Sequence, residues 1–90
     1  MFSEIDFKNG VITYCEWEDI KKEDLLQVKY GVHVLLDLGW YDAKKAYIIY
    51  VIVDFCWENP KIKIHTTNKK DMLKQLQAVI DDIVSGNFDI

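Results

Sequence analysis

Residues 46–57 read AYIIYVIVDFCW, and this stretch decides the architecture. Eleven of its twelve residues are apolar; the exception is Asp54. A membrane-spanning helix needs about 20 consecutive apolar residues, so the run is too short to cross a bilayer. It is rich in β-branched and aromatic side chains, which suit a pleated, packed surface. It predicts a central strand buried on both faces for most of its length.

Residues 28–40 alternate with period two. Val28, Tyr30, Val32, Val34, Leu36, Leu38 and Trp40 share one face, expected to be core. Lys29, Gly31, His33, Leu35, Asp37 and Gly39 share the other, expected to be mixed and mostly wet. The pattern predicts one long strand, joined to the central one by a hairpin connection at residues 40–44. Gly31 and Gly39 suggest a bulge or a close backbone approach. Glu58, Asn59 and Pro60 form a turn signal. Residues 61–67 then alternate again, with Lys61, Lys63 and His65 on one side, where lysines would blunt an exposed edge.

The flanking elements follow. Asn9-Gly10 marks a turn, and residues 11–18 (VITYCEWE) read as a strand. Residues 21–27 (KKEDLLQ) are good helix formers and predict a short helix, with Asp19 as its cap. At the other end Asn68 can cap a long helix, with Met72, Leu73, Leu76, Val79, Ile80 and Ile83 as its apolar stripe and Gly86 as its stop. The expected order is β-α-β-β-β-α. The predicted fold is a single α+β domain over residues 1–90, a two-layer sandwich. A mostly antiparallel sheet of about four strands carries the C-terminal helix on one face.

The net charge is −4, and all eleven basic residues are lysine. Without arginine, the usual residue for bidentate contact with phosphate or guanine, specific nucleic-acid binding is not expected. The imbalance sits entirely in residues 1–28, where seven acids face three lysines. The acidic start lacks the basic and apolar segments of a secretory signal, so the cytoplasm is the default location, with Cys15 and Cys56 reduced. No membrane association is expected.

The sequence holds no catalytic set. Ser3 and Ser85 lie far from either histidine in the chain. Both cysteines sit in apolar runs without the positive charge that thiolates need. Cys and His are not spaced as zinc ligands, so no metal is expected. No phosphate loop or dinucleotide fingerprint exists, and no cofactor is expected. Glu16, Glu18 and Asp19 could sit close, with Glu58 joining them, which leaves an acid–base enzyme as a third reading. The expectation is that the protein is not an enzyme.

Tryptophans and acids gather at strand ends: Glu16, Trp17, Glu18 and Asp19; Trp40 and Tyr41; Trp57 and Glu58. Aromatic anchors among acids match an interface facing a basic partner. The profile is similar, at the level of class, to inhibitors of basic toxins such as bacterial immunity proteins, and to phage proteins that block host defence. The first expectation is therefore a non-enzymatic, acidic protein-binding module that occludes a basic site with acids and aromatics from residues 14–24 and the strand ends, those eight residues foremost. The alternative is a small-molecule-binding domain, a homodimer in one version, with its pocket between sheet and helix.

Overall fold

The computed structural model describes residues 1–86. Five strands, β1 (Val11–Cys15), β2 (Leu26–Tyr30), β3 (Val34–Tyr41), β4 (Ala46–Val53) and β5 (Ile62–Thr66), form one sheet in the order β1-β2-β3-β4-β5. Every neighbouring pair is antiparallel. One helix, α1 (Lys69–Val84), follows, and its buried residues Met72, Leu76, Val79, Ile80 and Ile83 pack on one face of the sheet. The class and the single helix layer agree with the sequence. The strand count is five rather than about four.

The extra strand comes from a turn that the alternation hides. Tyr30 pairs with Val34, so only Gly31, Val32 and His33 form the turn between β2 and β3. An odd turn length keeps the parity of the chain, and Leu26 pairs Leu38, and Val28 pairs Leu36. Even-numbered residues thus face the core on both strands, and the period of two runs through the reversal unbroken. Gly31, at φ +69°, supplies the left-handed residue the turn requires. Val32, expected in the core, is the turn's apex and is 74% exposed.

Residues 21–27 are not helical. Leu26 and Gln27 open β2, and residues 21–25 form an irregular approach to it. Leu25 and Leu26 are fully buried, and burying them in the sheet outweighs the weak helix preference of the lysines and acids before them. Asp19 caps nothing; its carboxylate pairs with Lys69 instead.

Strand β4 is interior, between β3 and β5, and is buried on both faces, as its composition demands. It ends at Val53, earlier than the apolar run suggests. Asp54 and Phe55 both adopt positive φ, +54° and +60°, and the Cys56 N–H closes a tight turn on the Val53 carbonyl. This is the mirror-image turn that matches strand twist, built without the usual Asn-Gly. The Asp54 N–H donates to the His33 carbonyl, and the His33 ring meets the Asp54 carboxylate at 2.6 Å. Two hairpin tips are thereby tied together.

The helix runs beside β4 and β5. An N-terminal strap fills the layer next to it, with Phe2 buried and Ile5 and Phe7 packed against the core. The Gln77 side chain holds the strap, accepting from the Asp6 N–H and donating to the Asp6 carbonyl. The Tyr30 hydroxyl donates to the Phe7 carbonyl. The Asn68 side chain accepts the Asp71 N–H and starts the helix as expected. No helix among the described residues is long and apolar enough to cross a membrane.

Leu76 is fully buried at the centre of the helical stripe. Leu76→Ala should cost about 2–5 kcal/mol. Denaturant unfolding with an unchanged slope is the measurement; a loss below about 1 kcal/mol would mean that the site collapses around the missing atoms.

Candidate functional site

Strap and helix cover one face of the sheet. The register assigns Val11, Tyr14, Gln27, Lys29, Leu35, Asp37, Gly39, Tyr41, Ile48, Tyr50, Ile52, Lys63 and His65 to the opposite, open face. No helix lies on this face among the described residues. Two depressions among the described residues open here.

The larger, about 420 Å³, is lined by Tyr14, Lys22, Glu23, Asp24 and Gln27. One glycine makes its wall. The Leu25 N–H donates to the Leu38 carbonyl, while the Trp40 N–H donates to the Lys22 carbonyl. Glu23 and Asp24 are therefore extra residues looped out of the ladder, beside Gly39. A Cβ on Gly39 would lie 1.8 Å from the Glu23 carbonyl oxygen, closer than any real contact. Gly39 is thus the close backbone approach that its place in a strand pattern suggests, and the approach delivers two carboxylates to the rim of the open face.

Asp37 forms the polar floor next to this rim. It is 7% exposed, contrary to the wet position that alternation assigns it. The bulged segment and the tyrosines shelter what would otherwise be a solvated face. Burial pushes its carboxyl above the ordinary range, the Gln27 amide opposes that by donating to it at 3.0 Å, and Asp24 adds to the rise. Burial and the same acids also hold the Tyr41 hydroxyl above its usual value. Lys22 is already engaged: its ammonium pairs with Glu16 at 2.8 Å and lies over the Tyr14 ring. Its charge is spent on Glu16, whose carboxyl is lowered in consequence. Glu23, Asp24 and Asp37 form no ion pair with another described residue. The depression is electronegative.

The smaller depression, about 210 Å³, adjoins the first at Gln27 and is mostly apolar. Thr13, Lys29, Leu35, Ile52, Val32 and Phe55 contribute to its walls.

The structure splits the eight site residues read from the sequence. Glu16, Trp17, Glu18 and Asp19 follow β1 at the end of the sheet where β3 finishes. Trp57 and Glu58 follow β4 and sit at the opposite end, so Glu58 does not join the carboxylate group. Trp17 and Trp57 are exposed, at 53% and 47%. Trp40 is core, edge-on to Tyr47 with ring centroids 4.9 Å apart, and the Lys21 ammonium caps its ring. Tyr41 is half-buried on the open face, edge-on to Tyr50. Asp19 is lowered by Lys69. Two of the three acids in that run, Glu16 and Asp19, are therefore neutralised within the molecule. Tyr14, Glu23 and Asp24 fall within the stretch 14–24 read from the sequence as the binding segment, Gln27 and Asp37 lie outside it, and Gly39 signalled the close approach.

Cys15 is half-buried against the core, and burial raises its thiol; Cys56 is exposed. Among the described residues no group of three or more His, Cys, Asp or Glu could hold a metal ion. The fold and the open face define a small α+β domain with a five-stranded meander covered on one side. Comparison with protein-family models, curated proteins and solved structures finds no match.

Two variants test this geometry. Gly39→Ala should displace residues 22–24 and cost about 1–3 kcal/mol, the range of overpacking. Amide exchange should show lost protection at Trp40, whose N–H bonds Lys22; unchanged protection would place the carbonyl elsewhere. Asp37→Asn keeps an acceptor for Gln27. The folded carboxyl titrates above its unfolded value, so the native state holds its proton more tightly and loses stability as pH rises through that range. Asp37→Asn should therefore be more stable than the parent at neutral pH. The advantage should vanish in acid, below the carboxylate range. Equal stability at both pH values would show that Asp37 is well solvated.

Proposed function

We propose that this domain is a non-catalytic binding module that receives a basic surface of another protein on its open sheet face. Occluding that surface is its effect, in the manner of inhibitors of basic toxins or of host-defence proteins. The observation that supports the reading is the placement of Glu23 and Asp24 on the rim of the depression, beside buried Asp37 and the Tyr14 ring, with Lys22 committed to Glu16. A lysine or arginine side chain would supply the missing positive charge there and rest its stem on a tyrosine. Opposite potentials would also steer encounter. Trp17, Glu18 and Trp57 are then rim contacts, and Trp40 supports the fold.

The small-molecule reading has one observation in its favour, since 420 Å³ falls within the usual range for ligand sites. The lining argues against it. Such sites are mainly apolar, whereas this one has one ring and four polar side chains. The apolar depression is smaller than the range. Of the group named for the enzyme reading, Glu58 lies at the opposite end of the sheet from Glu16, Glu18 and Asp19.

A short lysine-rich peptide is the direct probe. It should shift the amide resonances of Tyr14, Asp24 and Gln27, weakening steeply with salt as screened charges do. Glu23→Lys with Asp24→Lys should weaken it by about tenfold or more, since truncating or reversing a complementary charge costs a few kcal/mol. Shifts confined to residues 16–19, or none, would reject the depression as the receiving site.

A further inference from the structure

The electronegative depression does not stand alone. The smaller, apolar depression shares Gln27 with it, and the pairing registers give the relation of the two. Glu23 and Asp24 lie beside Gly39. The floor of the apolar depression is the row of Lys29, Leu35 and Ile52. Leu35 and Gly39 are four residues apart on β3, about 13 Å at the rise of a strand. The two depressions therefore follow one another along the strand direction, with Gln27 between them.

The far end of the apolar depression is walled by two exposed apolar residues, Val32 and Phe55. Each is next in sequence to one member of the clasp between His33 and Asp54, so one braced unit carries both. Phe55 is 77% exposed and held at φ +60°. A bulky residue in that conformation is strained, and a glycine would suit the turn better. The exposed ring gives the fold little, but it deepens the depression. At about 210 Å³ the space exceeds the roughly 150 Å³ that holds a benzene molecule. It takes one leucine or phenylalanine side chain.

We propose that the open face receives an extended segment of a partner protein in which a lysine or arginine and a large apolar residue stand four positions apart. This rests on the reading of the larger depression as the receiving site for a basic side chain. Alternate residues of an extended chain face the same way, so residues i and i+4 span the same distance of about 13 Å. Residue i meets Glu23 and Asp24, and residue i+4 enters beside Val32 and Phe55 over Leu35. Residue i+2 falls over Gln27, where a small polar side chain suits. Lys29, exposed on the wall of the apolar depression, repels a second basic side chain there. The two ends of the site thus select different residues.

The test is an amide-resonance titration with short peptides of serine and alanine. One carries a lysine alone; the others add a phenylalanine at i+3, i+4 or i+8. The i+4 peptide should bind about tenfold more tightly than lysine alone, since burying a side chain of this size contributes at least that much. Its shifts should reach Leu35 and Ile52 as well as Asp24 and Gln27. The i+3 peptide should gain nothing, because its ring points away from the sheet. Val32→Ser and, separately, Phe55→Gly should abolish the gain and leave the lysine peptide unaffected. Both side chains are exposed, so the melting temperature should hold. Equal binding of the i+3 and i+4 peptides, or a gain that survives both substitutions, would overturn the proposal. So would a preference for i+8, which is close to the same span in a helix at about 1.5 Å per residue. The two ideas fail separately. A lysine peptide that binds through Glu23 and Asp24, with no gain from phenylalanine at any position, leaves the binding module standing and removes only the pairing. Affinities unchanged by Glu23→Lys with Asp24→Lys would reject the receiving site, and the proposal with it.

Discussion

The whole molecule hangs on the ladder between β3 and β4. Eight consecutive residue pairs, from Val34 with Val53 to Tyr41 with Ala46, join the two longest strands. Neither strand can leave the other without exposing backbone groups that nothing else satisfies. The ladder aligns Leu36 with Val51, Leu38 with Ile49 and Trp40 with Tyr47, all on the covered face. It also puts Ile48 and Ile52 on the open face, both buried by neighbours within the sheet. A central pair apolar on both sides needs protection on both sides. The helix and strap give it on one. On the other, the protection comes from tyrosines, long polar side chains and the bulged segment over Gly39.

How much of this was legible follows from what each residue's signal depends on. The helix was plain because its stripe, its Asn68 cap and Gly86 all report the same local conformation. The central strand was plain because no other short structure buries such a run. The turn at residues 31–33 was invisible for a geometric reason: an odd-length reversal between strands paired residue to residue preserves alternation. Only Gly31 marked it. The early end of β4 was hidden likewise, since Asp54 and Phe55 look like continuing strand until their φ angles are seen.

The misread helix at residues 21–27 has a different cause. Helix preference there is a sum of small terms, a few tenths of a kcal/mol per residue. Fully burying Leu25 and Leu26 contributes about 1.5–3 kcal/mol each. Tertiary packing wins by magnitude. The same misreading concealed the depression, because Glu23 and Asp24 were read as part of a short helix. Charge in the first third was legible as composition. Its partition was not. Glu16 and Asp19 spend their charge on Lys22 and Lys69, both far from them in sequence or brought near only by the fold. Glu4, Glu18 and the pair that Gly39 admits, Glu23 and Asp24, remain outside these ion pairs.

The clasp between Asp6 and Gln77 joins residues 71 apart. The meander, by contrast, is held by neighbours in sequence, which form quickly because their loops are short. During synthesis the sheet can therefore assemble while its covered face is still bare. Phe2, Ile5 and Phe7 have no seat beside the helix until residue 77 has left the ribosome. The apolar side chains of the strap are therefore shielded only once the helix has docked, after the local pairings of the meander have formed.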